Sequence, residues 1–116
     1  MDEWYKTDIC GQLFLDTIFV RSYTPILFTC RDTNNNQYLV MTLDCVDGKY
    51  IIAPVSDQSL LDLTSKNIAI DAFLKEQKLL YSSLLDDDFN LILERTYGSK
   101  LSADELPDPE TYLEKF

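Results

Sequence analysis

Four runs rich in β-branched and aromatic residues fall between positions 12 and 55, and each is cut off by residues that reverse a chain. That spacing points to antiparallel sheet. Residues 12–24 include Phe14, Thr17, Ile18, Phe19, Val20 and Tyr23 and stop at Pro25, which reads as one long strand. Residues 26–31 make a second. Asp32-Thr33-Asn34-Asn35-Asn36 then supplies side chains that tolerate left-handed backbone and cap their own turns, so residues 37–44 return as a third strand. Asp47-Gly48 repeats the reversal into residues 50–55, where Pro54 argues against an interior position because it has no amide donor.

The period changes at Ser56. Ser56-Asp57-Gln58-Ser59 carries N-cap chemistry ahead of Leu60, Leu61 and Leu63, and Asn67 is suited to close the resulting helix. Residues 70–76, with Ala72, Phe73 and Leu74, read as a second short helix; neither is long enough to persist unless it packs on the sheet. Residues 79–85 and 89–96 flank Asp86-Asp87-Asp88 and form a C-terminal hairpin with a charged turn. The expected fold class is therefore α+β: an antiparallel meander of four or more strands, two short helices and that hairpin, in a single domain over residues 1–100. Residues 101–116 form an acidic extension, in which Pro109 is placed to start a short helix. A chain of 116 residues, 46% of them hydrophobic, is long enough to bury one core.

Charge narrows the functions. Twenty acidic residues against ten basic ones leave a net charge of −10, the wrong sign for gripping phosphates or an anionic membrane. Direct nucleic-acid and membrane partners are not expected. The residues from Asp86 onward hold nine acids and three bases, so more than half of the net charge lies in about a quarter of the chain. No basic n-region and apolar h-region follow Met1, which leads to a cytoplasmic expectation.

The chemistry available is sparse. With no histidine, the chain cannot build a Ser-His-Asp or Cys-His nucleophile by itself, and a zinc site would have only three widely spaced cysteines to draw on. Three glycines exclude a Walker loop and a GxGxxG turn. No cofactor, metal or catalytic residue is assigned. Cys30 and Cys45 sit in apolar runs and are expected in the core, with Cys10 as the free thiol. Three consecutive aspartates lack the alternating ligands and glycine of a calcium loop, so a solvated turn is the simpler reading. Trp4 and Tyr5 precede the first expected strand and either pin the terminus to the core or anchor a partner.

Short motifs carry one resemblance. Tyr23, Pro25-Ile26-Leu27-Phe28, the polar turn at residues 32–36, Tyr38-Leu39, Pro54-Val55-Ser56 and Ala72-Phe73-Leu74 follow each other over residues 13–73. This order resembles an uncharacterised family of small bacterial proteins, a domain of unknown function. The resemblance implies an antiparallel sheet followed by short helices and a bacterial or phage source, and it carries over no catalytic residues. Asn36 stands where the family usually has glycine.

The functional expectation is a non-enzymatic inhibitor, immunity or accessory protein that docks a basic partner such as a nuclease or another nucleic-acid-processing complex, imitating nucleic acid in charge. Asp86, Asp87, Asp88, Asp104, Glu105, Asp108, Glu110 and Tyr112 are the candidate partner-binding residues. The alternatives are a self-associating scaffold, including a homodimer, and a carboxylate-dependent metal enzyme.

Overall fold

A computed structural model describes residues 2–21, 25–102 and 105. The elements run β1 (Glu3–Thr7), β2 (Gly11–Arg21), β3 (Pro25–Arg31), β4 (Gln37–Asp44), β5 (Lys49–Val55), α1 (Asp57–Thr64), α2 (Ile70–Glu76), β6 (Leu80–Leu85) and β7 (Leu91–Thr96), followed by a 3-10 turn at Gly98–Lys100. The strands close into a barrel in sequence order. The open α+β meander expected from the sequence is thus corrected to a closed, mostly-sheet barrel of seven strands.

Closure depends on β1, a strand the sequence reading passed over. It pairs antiparallel with β2, and its far end meets the start of β7 in parallel at Thr7 and Leu91. Asp8 extends this short seam: its N–H donates to Leu91 O at 3.2 Å, and its carboxylate accepts the Leu93 N–H at 2.9 Å. The side chain stands in for a strand that has ended. Joining β1 to β7 shortens the run of unpaired amides that an open meander would expose at its two edges.

Alternation along the strands then makes two cores. Leu13, Phe28, Cys30, Tyr38, Val40, Tyr50, Ile52, Tyr81, Leu91 and Leu93 fill the barrel. The alternate residues Leu27, Leu39, Ile51, Ala53 and Leu80 face outward and are covered by Leu63 of α1 and Ile70, Phe73 and Leu74 of α2. Residues 50–53 are consequently buried on both faces, an unbroken apolar run instead of a half-polar one. In β2 the register shifts between Leu15 and Ile18, a bulge that moves the inward positions from Leu13 and Leu15 to Ile18 and lets Phe19 join the outer core.

Pro54 is tolerated within an interior strand for a local reason. Its β4 neighbour is Tyr38, but the pairing of Ile51 with Ser82 and Ile52 with Tyr81 places Pro54 beyond the first residue of β6, where no partner seeks its missing N–H. Helix α1 begins at the expected Ser56 cap, whose Oγ accepts the Ser59 N–H at 3.1 Å. Its end differs. Lys66, not Asn67, takes the left-handed conformation at φ 61°. Gly98 fits flush against the end of α2, since a Cβ there would lie 1.8 Å from Leu74 O.

Candidate functional site

Chain direction places the β4–β5 turn, the β6–β7 turn and the start of β1 at one end of the barrel. The two turns touch: Leu85 N–H donates to Asp47 O at 3.2 Å, and a Cβ on Gly48 would lie 2.8 Å from Leu85 Cβ. Asp2, Glu3, Asp44, Asp47, Asp87 and Asp88 are all exposed there. Lys49, at the start of β5, is exposed beside them and is outnumbered by these acids.

The β6–β7 tip is built by Asp86. Its Oδ1 accepts the N–H groups of Asp88 at 2.8 Å and Asn90 at 2.9 Å, and its own N–H donates to Asn90 O at 2.9 Å. That framework forces the fourth residue, Phe89, to φ 62° and turns its ring outward, leaving the residue 73% exposed. Behind the ring, Leu84 and Ile92 pair directly across the two strands on the outer face, beyond the reach of the helices, and are 55% and 51% exposed. The result is an aromatic knob on an apolar pair, flanked by Asp87 and Asp88.

The expected partner-binding residues separate accordingly. Asp87 and Asp88 are presented to solvent, whereas Asp86 is half-buried and engaged with its own turn. Glu105 is half-buried too, and its Oε1 accepts both the N–H and the Oγ–H of Ser102 at 3.1 Å, so it serves the local turn. Strand β7 separates it from the tip. Asp104, Asp108, Glu110 and Tyr112 lie outside the described residues.

Sequence reading missed Phe89, Leu84 and Ile92 as surface features because residues 79–85 and 89–96 each looked like continuous strand. A signal was present: Asp86-Asp87-Asp88-Phe89-Asn90 repeats the Asp…Asn spacing of residues 32–36, and in that pattern the fourth residue is left-handed. Cys45 is another correction. It lies exposed in the β4–β5 turn, while Cys30 is in the core as expected.

Two of the three thiols offer little chemistry. Burial pushes Cys10 up, and the charges of Asp32 and Asp8 add to this against hydrogen bonds with Tyr38 and Thr7; burial likewise pushes Cys30 well up. Both are held protonated and are poor nucleophiles at neutral pH. Among the described residues, no group of three or more Cys, Asp or Glu side chains is placed to hold a metal ion, and no helix is long and apolar enough to cross a membrane. No family model, curated protein or solved structure matches the chain.

Proposed function

We propose that the protein is a non-enzymatic binding module of the inhibitor, immunity or accessory class, and that its β6–β7 tip docks a basic protein partner. The observation that carries this reading is Phe89, a bulky residue in left-handed backbone with most of its ring in water. The backbone conformation costs about 1 kcal/mol, and an exposed ring forgoes roughly 2 kcal/mol of burial. Neither helps the barrel fold. The burial is recovered when the ring enters a pocket on another molecule, and aromatic anchors of this kind dominate interface energetics.

The carboxylates supply the steering. Asp87 and Asp88 beside the ring, in a chain of net charge −10, attract a cationic surface over several ångströms and repel an anionic one. A second copy of this chain is a poor occupant, because a two-fold contact would bring the same aspartates face to face.

The test is comparative capture from a lysate of the source organism at low and high salt. Wild-type bait should retain a basic protein that high salt releases; Asp87→Lys/Asp88→Lys should lose it, and Phe89→Ser should weaken it by about tenfold. Equal retention of the same partner by all three baits would overturn the proposal.

A further inference from the structure

Four aromatic rings meet at the acidic end of the barrel. Trp4 and Tyr5 come from β1, Phe28 from β3 and Tyr50 from β5, and together with Glu3 and Val46 they line an open pocket of about 400 Å3. The indole stands nearly perpendicular to its neighbours: ring centroids lie 4.9 Å from Tyr5, 5.2 Å from Phe28 and 4.8 Å from Tyr50, at interplanar angles of 76–78°. The ring centroids of Tyr5 and Tyr50 are 5.9 Å apart, with the rings tilted at 51° to each other. Such edge-to-face packing explains how β1 is pinned to the barrel. It does not explain why the cluster opens into a cavity of ligand size.

Electrostatics distinguishes the possible occupants. A cation within about 6 Å of a ring centroid is attracted to the ring face, and centroids this close together put one cation within range of more than one ring. Glu3 is exposed at the pocket, and no Lys or Arg is among the described residues that line it. Elsewhere the chain places its own cation on a ring: Lys100 Nζ lies 5.2 Å from the centroid of Tyr97. The Trp4 pocket has one exposed carboxylate and four aromatic rings, with no cation among its described lining residues.

We propose that this pocket seats an organic ammonium group: an alkylammonium held by Trp4, Tyr5 and Tyr50 and oriented by Glu3. The inference deepens the partner-binding reading, since a lysine side chain of the docked protein, methylated or not, is one source of that group; a free quaternary ammonium compound is the other.

Trp4 is the only tryptophan, so its fluorescence reports the pocket directly. The wild-type protein is titrated at low salt with choline, with its uncharged isostere 3,3-dimethylbutan-1-ol, and with the blocked amino acids N-acetyl-lysine methylamide and its trimethylated form. The cations should give saturable changes at least about tenfold tighter than the uncharged isostere, with Tyr50→Leu losing most of that affinity and the milder Glu3→Gln weakening it by about threefold. Preference for the lysine derivatives over choline identifies a protein side chain as the source, and the reverse preference a small metabolite. Equal binding of choline and its isostere, or no saturable change with any cation, would overturn the proposal. Phe89→Ser should leave these titrations unchanged, so failure of the tip to dock a partner is distinguishable from failure of the pocket.

Discussion

The turns at residues 32–36 and 86–90 share one hydrogen-bonded framework and put it to opposite uses. In each, an aspartate N–H donates to the carbonyl of the asparagine four residues on, its Oδ1 accepts the N–H groups two and four residues on, and the fourth residue is left-handed. In the first turn that residue is Asn35, which tolerates φ 64°, and in the second it is Phe89. The first aspartate is also tied into the barrel: Asp32 is buried, and its Oδ2 accepts the Asn36 side chain at 2.9 Å and the Tyr38 hydroxyl at 3.0 Å. Asp86 does only local work. One turn is therefore tied into the fold, while the other holds a residue in left-handed backbone whose ring is exposed.

The largest expected effect breaks the frameworks themselves. Asp32→Ala leaves the buried Tyr38 hydroxyl without its acceptor and should lower unfolding free energy by about 3 kcal/mol in urea titration, against about 1 kcal/mol for Asp86→Ala. Similar losses at both sites would mean that the turns are equivalent after all. The next effect tests the strain. Phe89→Asn should raise stability by about 1 kcal/mol and Asn35→Phe should lower it by a similar amount, both read from the urea midpoint. A destabilised Phe89→Asn would show that the ring serves the fold.

The smallest effect sharpens the comparison through pH. Burial pushes the Asp32 carboxyl up, but the Asn36 side chain, the Asn36 and Asn34 amides and the Tyr38 hydroxyl outweigh it and hold the group below its usual range. The unfolded chain then binds the proton more readily, so the stabilisation is complete above the unfolded value of about 3.9 and fades as pH falls through the lower folded value. Asp32→Asn should flatten this part of the acid dependence of unfolding. An unchanged acid limb would remove the carboxylate from the account.

Much of the local structure was legible because it depends on neighbours in sequence. The polar turn at Asp32, the Asp47-Gly48 reversal, the Ser56 cap and the short apolar patch of α2 each announce themselves within five or six residues. Closure does not. The decisive contact joins Asp8 to Leu93, 85 positions apart, and Glu3-Trp4-Tyr5-Lys6-Thr7 is too short to stand out as a strand until that partner is known. Pro54 misled for the same reason, since its tolerance depends on where β6 begins. Of the candidate site, the acidic tip was readable from Asp87 and Asp88. The knob and the aromatic pocket were not, because Phe89 is exposed by backbone geometry and Trp4, Phe28 and Tyr50 meet only across three strands.

The barrel is fastened by its weakest joint: one registered pair, Thr7 with Leu91, reinforced by the Asp8 carboxylate, against six pairs between β6 and β7. Such a latch draws together distant parts of the chain and is the natural place for breathing. Releasing it leaves β1 held by β2 and by the packing of Trp4 on Phe28 and Tyr50, while the helix-covered outer core stays intact. The pocket and the latch thus share one short strand, and a ligand bound at the Trp4 end should favour the shut barrel.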